Sequence, residues 1–145
     1  MPTLNYFLNA IGRCNTLFRA KRLEGTGIGP QDHPYLFYVC RHPGSAQDTL
    51  CRELYVNKSS VTRHLSHLER EGFVTRCVSP DDRRCLLVYP PEKANAALPL
   101  LRQVGGDFRE GLCRGFDPRE VELFETLLAR AMENAKLLAG EGAGE

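Results

Sequence analysis

Three features of the sequence predict a mainly helical fold carrying one small β wing. The stretch from Asn57 to Arg84 reads as a helix, a short strand and a charged turn, a shorter helix ends just before it, and both chain ends carry apolar stripes at helical spacing. The central helix is delimited by Asn57, a good N-cap, and by Gly72, which suits the C′ stop. Val61, Leu65 and Leu68 fall at i, i+4 and i+7, an apolar stripe on a helix of roughly 14 residues. The opposite side carries Lys58, Ser59, Ser60, Thr62, Arg63, Ser66 and His67, with no acid before Glu69. Such a face can lie against nucleic acid: short side chains permit close approach, hydroxyls bond phosphates or base edges, and Arg63 can grip guanine with two hydrogen bonds. The competing reading is a solvated helix surface, so the flanking segments matter.

Upstream, Ser45-Ala46-Gln47-Asp48 has the pattern of a capping box opening a short helix with Ala46, Leu50, Cys51 and Leu54 inward, followed by the turn Tyr55-Val56. Two short helices joined this tightly form a helix-turn-helix. Downstream, Phe73 to Val78 and Cys85 to Tyr89 are β-rich runs flanking Ser79-Pro80-Asp81-Asp82-Arg83-Arg84, a hairpin with a polar, basic tip. The expected unit is a winged helix with a two-stranded wing.

The segment SSVTRHLSHLEREGFVTR and the wing DDRRCLLV resemble the MarR family of bacterial transcription regulators. The family's wing signature, an acid two residues before an arginine and then a strand, is met by Asp82, Arg84 and Leu86-Leu87-Val88. The resemblance extends more loosely to the long terminal helices. It implies a homodimeric, cytoplasmic repressor that binds a pseudo-palindromic operator in double-stranded DNA. Lys58, Ser59, Ser60, Thr62, Arg63 and His67 would face the major groove, and Arg83 and Arg84 the minor groove, where negative potential is deepest. Asp82 would orient Arg84 through a charge-assisted pair. Two departures stand out: Pro90-Pro91 replaces a Leu-Thr common before the fifth helix, and Tyr55 occupies a turn position where a small residue is usual.

The terminal segments supply the rest of the fold. Leu4, Phe7, Leu8, Ile11, Leu17 and Phe18 make a helical stripe to about residue 22, ended by Gly25-Thr26-Gly27-Ile28-Gly29-Pro30; a helix from Pro34 to Arg41 is stopped by His42-Pro43-Gly44. After Pro90-Pro91, Ala94, Ala97, Leu98, Leu101, Val104, Phe108 and Leu112 recur at three- and four-residue steps, with Pro99 and Gly105-Gly106 predicting a kink. Asp117-Pro118-Arg119-Glu120 then offers N-cap, N1 proline and N3 acid to a helix striped with Val121, Phe124, Leu127, Leu128, Ala131, Ala135 and Leu138. The tail GEGAGE is expected to be disordered. The chain thus divides into an N-terminal dimerisation helix with its glycine-rich connection (1–30), a winged helix-turn-helix (31–90) and C-terminal dimerisation helices with the tail (91–145). The terminal stripes offer more apolar face than a small reading head can cover, which predicts a second copy of the chain as partner.

Composition narrows the alternatives. A chain of 145 residues, 42% hydrophobic and 26% charged, is large enough for a core and ordinary for a globular protein. No apolar run approaches the ~20 residues of a membrane span, and the first residues lack a basic leader, so neither membrane nor export is expected. The net charge of +1 hides an asymmetry: residues 1–45 carry +3, 46–90 +1, 91–106 +1 and 107–145 −4, which keeps acid away from the reading head.

An effector pocket between the dimer helices and the reading head, as the resemblance implies, would draw on Phe18, Arg22, Tyr35, Tyr38 and His42. Six cysteines form no C-x-x-C pair and no His pair has zinc spacing, so neither metal nor cofactor is expected. A redox input could still use Cys14 near Tyr35 or Tyr38, as in one branch of the family, or Cys77 and Cys85 across the wing; the alternative is that the thiols are small apolar residues. Ser, His and Asp all occur, but His64 and His67 share a helix with Ser59 and Ser60, and no nucleophile elbow or phosphate loop accompanies them, which argues against an enzyme. The remaining rival is a winged-helix module that binds protein and not DNA.

Overall fold

The computed structural model describes residues 1–140; all of the GEGAGE tail except Gly140 lies outside the described residues. The chain runs α1 (Leu4–Arg22), α2 (His33–Arg41), β1 (Ser45–Ala46), α3 (Gln47–Leu54), α4 (Lys58–Arg70), β2 (Thr75–Val78), β3 (Leu86–Tyr89), α5 (Glu92–Leu112) and α6 (Pro118–Ala139).

The helix-turn-helix is built as its sequence demands. Asn57 Oδ1 accepts from the Ser60 amide at 2.8 Å, and Val61, Leu65 and Leu68 are fully buried. Each such side chain stabilises the fold by roughly 1.5–3 kcal/mol relative to exposure. At the other end Gly72, at φ 82, lets the Phe73 amide turn back to the Leu68 carbonyl at 2.8 Å. Tyr55 closes α3 in the left-handed region at φ 55, with its amide on the Cys51 carbonyl. It is the one non-glycine residue of positive φ among the described residues, a conformation that costs about 1–2 kcal/mol.

The start of α3 departs from expectation. Ser45 and Ala46 form no capping box; they pair antiparallel with Val88 and Leu87 as an edge strand, and the sheet has three strands in the order β1-β3-β2. The Ser45 hydroxyl donates back to the His42 carbonyl at 2.6 Å, so Ala46 stands at the N-cap with no side-chain bond to offer. Backbone pairing of β1 with β3 thus takes the place of the cap.

One core holds the head together: Leu36 and Val39 of α2, Leu50 of α3, Val61, Leu65 and Leu68 of α4, Val88 of β3, and Ala94 and Val104 of α5 are all fully buried. α5 is unbroken through Pro99 and Gly105-Gly106. α6 begins with the expected reciprocal capping box, Asp117 accepting from the Glu120 amide and Glu120 from the Asp117 amide, both at 2.9 Å. Unlike α5 it buries no side chain: Leu123, Leu127, Leu128 and Met132 are 41–58% exposed, and on α1 Leu4, Phe7 and Leu8 are 49–72% exposed.

Candidate nucleic-acid interface

Lys58, Ser59, Thr62 and Arg63 project from the open side of α4, with Ser60 half-buried beside them. Asn57 Oδ1 holds the Ser59 hydroxyl at 3.1 Å, whereas Arg63 reaches Ser60 Oγ only at 3.5 Å, too long to restrain its guanidinium. His67 behaves otherwise. Its Nε2 donates to the Gly27 carbonyl at 3.0 Å, so the ring is turned toward the α1–α2 loop and away from the open face where the sequence had suggested it.

That loop is clamped to α4 by a residue the sequence reading passed over. Asp32, only 2% exposed, accepts from the Gly29 amide at 2.6 Å and from His64 Nδ1 at 2.7 Å, with His67 Nε2 3.6 Å from its other oxygen. His64 in turn stacks on the buried ring of Tyr35, centroids 4.8 Å apart. Asp32 precedes a helix and would be read as a cap, but its side chain makes no capping bond and serves this long-range contact instead.

A second unforeseen residue is Arg76 on β2. Its Nη2 donates to Ser66 Oγ and Glu69 Oε1, each at 3.1 Å, and its Nη1 to Gln47 Oε1 at 3.3 Å, tying the wing to both helices of the helix-turn-helix. Nothing in the local sequence separates Arg76 from an ordinary strand arginine.

At the wing tip, the Ser79 amide donates to the Cys85 carbonyl at 2.8 Å and the Cys85 amide to the Asp82 carbonyl at 3.0 Å. Asp82 Oδ1 accepts from the Arg84 amide at 3.0 Å and lies 3.5 Å from Arg84 Nε, while the Arg84 side chain remains 93% exposed. Arg83 is exposed beside it.

The five residues expected to line one pocket are dispersed. Phe18 packs on Phe108, and Arg22 lies over Phe18 while pairing with Asp107 at 2.7 Å. Tyr38 and His42 line a cleft of about 620 Å³ between α2, α3 and α5. Tyr35 faces a different cavity of about 410 Å³, framed by α1, α2 and the start of α4. Arg19 and His33 border that cavity too, and Arg19 Nη1 and His33 Nδ1 are buried with no hydrogen-bond partner. Burial, and then the charge of Arg19, pushes His33 down to about 4, which leaves it neutral near pH 7.

All six cysteines are free thiols. Cys14 is exposed on α1 and lines neither the cavity of Tyr35 nor the cleft of Tyr38. Cys77 stands opposite Leu87, and Cys85 lies two residues before Leu87, just ahead of β3. Burial raises the Cys40 and Cys51 thiols above their ordinary range, the behaviour of small core residues.

A family model described as the MarR family matches residues 26–84, from the Asp32 loop to the wing arginine. A solved structure of MarR is 28% identical and superposes with a TM-score of 0.86 over 97% of this chain and 95% of its own. Over its helix-turn-helix and wing the chain is similar to the MarR family. The relatives it resembles are transcriptional regulators. YybA of Bacillus subtilis (strain 168), an uncharacterized HTH-type transcriptional regulator, is 29% identical over 100 residues, covering 69% of this chain and 67% of its own. A putative MarR family transcriptional regulator from Listeria monocytogenes, solved in complex with a 26mer DNA, is 18% identical; it shares the fold with a TM-score of 0.83 over 100% of this chain and 98% of that one. No helix among the described residues of this chain is long and apolar enough to cross a membrane.

Proposed function

We propose that this chain is a homodimeric, cytoplasmic repressor of the MarR family that binds a pseudo-palindromic operator in double-stranded DNA. The observation that carries the reading is the pairing of two exposed surfaces: the face of α4 with Lys58, Ser59, Ser60, Thr62 and Arg63, and the 93% exposed Arg84 at the wing tip. Two copies of α4 would enter successive major grooves about 34 Å apart, with Arg83 and Arg84 in the flanking minor grooves and Asp82 aiming Arg84. The Listeria relative bound to a 26mer DNA supports the same use of this fold. The exposed stripes of α1 and α6 support division into dimerisation segments (1–30 and 91–145) around a DNA-binding region (31–90).

Affinity for the operator should fall steeply with salt, with a slope near −0.9 per phosphate contacted, because each contact releases a counterion. Arg84→Ala should weaken operator binding by roughly 1–3 kcal/mol with the thermal midpoint nearly unmoved, since the side chain touches only Asp82 and solvent. Fluorescence anisotropy on a labelled operator duplex checks both. Salt-independent binding, or an Arg84→Ala variant as tight as the parent, would remove the reading and favour a protein-binding module.

The effector would be a small anion held in the 410 Å³ cavity by Arg19, whose buried Nη1 awaits an acceptor, with the rings of Tyr35 and His33 as its walls. Because the cavity borders Ser60, Arg63 and His64, an occupant would press on the start of α4. Benzoate, as a probe, should raise the thermal midpoint of the parent and weaken operator binding, and Arg19→Met should respond in neither assay. Equal responses of parent and variant would exclude this cavity.

A further inference from the structure

We propose that Gln47 and Arg76 act as positioning residues that fix Thr62 as a hydrogen-bond donor toward the operator, and so determine which base edge it selects. The inference rests on the DNA-binding reading but adds a property of its own. Arg76 Nη1 lies 3.3 Å from Gln47 Oε1, and Gln47 Nε2 lies 3.1 Å from Thr62 Oγ1. A guanidinium has five donors and no acceptor, so the oxygen end of the Gln47 amide must face Arg76. Its NH₂ end then faces Thr62 and donates. Turning the amide over would set its NH₂ against the guanidinium and lose the bond to Arg76.

The orientation of one amide therefore passes to a hydroxyl. Thr62 Oγ1 spends a lone pair on Gln47, and its proton must point elsewhere. A helical threonine commonly gives that proton to the carbonyl four residues back, as Thr16 does to Gly12 at 3.1 Å. Among the described residues no such bond is formed by Thr62, which is exposed on the open face of α4. Ser66, one turn further on the same side, is polarised alike: its Oγ accepts from Arg76 Nη2 at 3.1 Å. Arg76 itself is held at the far end by Glu69, which accepts from both its Nη2 and its backbone amide at 3.1 Å.

A hydroxyl that presents its proton suits guanine O6 over the adenine N6 amino group, or thymine O4 over the cytosine N4 amino group, in the major groove. At the base pair facing Thr62 the chain should thus prefer guanine to adenine, or thymine to cytosine, by the roughly two- to tenfold worth of one neutral hydrogen bond. Gln47→Glu reverses the relay. A carboxylate still accepts from Arg76 but can only accept from Thr62, so the hydroxyl turns inward and shows the groove a lone pair.

Selection from a pool of duplexes randomised across the site, using the full chain and its variants, tests this. The parent should enrich a consensus, Thr62→Val should flatten it at one position in each half-site, and Gln47→Glu should invert the preference at that same position. Gln47→Met, which frees the hydroxyl to turn either way, should flatten the position like Thr62→Val and serves equally if Gln47→Glu fails to fold. A consensus unchanged in Gln47→Glu or in Gln47→Met overturns the proposal while leaving DNA binding intact. A parent that enriches nothing overturns both.

Discussion

Replacing Leu127 and Leu128 together by glutamate is expected to yield a folded monomer whose operator affinity is lower by about 10²–10⁴-fold. The two leucines are 48% and 41% exposed on a helix that buries no side chain within its own chain, so the substitutions disturb nothing in the head core. On the proposed homodimer reading, these exposed leucines, in a row with Leu123 and Met132, would meet a second copy, and charges placed there would be buried unpaired. Loss of the second head then removes the gain from binding two half-sites with one particle. Light scattering reads the mass, and anisotropy on the operator reads the affinity. A variant that remains dimeric would show that α6 is not the interface, and a monomer that binds as tightly as the parent would show that one head suffices.

The second large effect is expected at Asp32. Asp32→Ala should cost about 1–3 kcal/mol for each donor it leaves without a partner beside a residue only 2% exposed. It strands the Gly29 amide and the Nδ1 of His64, and frees the loop that His67 holds through Gly27. For a chain of this size that is a fall of roughly 10 °C in the thermal midpoint. Asp32→Asn, whose amide oxygen can still accept one of these bonds, should lose less. If urea unfolding places Asp32→Ala within about 1 kcal/mol of the parent, the clamp contributes no more than a surface ion pair.

How much of this could be read from the sequence depended on the range of the interaction involved. Asn57, Val61, Leu65, Leu68 and Gly72 were legible because capping and helical period are local rules, satisfied within one or two turns. The same holds for the box at Asp117 and Glu120, and for the Asp82–Arg84 pair inside a tight turn. β1 was not legible, since two residues carry no alternation and Ser45 mimics a cap; only its partner Val88, 43 positions away, makes it a strand. His67 was placed on the open face by its helical angle, but a carbonyl 40 residues upstream draws the ring aside. Asp32 and Arg76 were missed for the same reason. Each is an ordinary polar residue whose importance exists only once distant elements meet around it.

The edge strand Ser45–Ala46 has a mechanical consequence. Without it, the β2–β3 hairpin would be joined to the helix-turn-helix on one side and could swing like a flap. With β1 paired to β3 on one edge and Arg76 bolting β2 to α3 and α4 on the other, the hairpin is braced along both margins. The reading head is thereby stiffened into a single lever. Any torque applied at the chain ends must then rotate wing and recognition helix together, so groove fit at Arg84 and at Thr62 would be gained or lost in the same stroke.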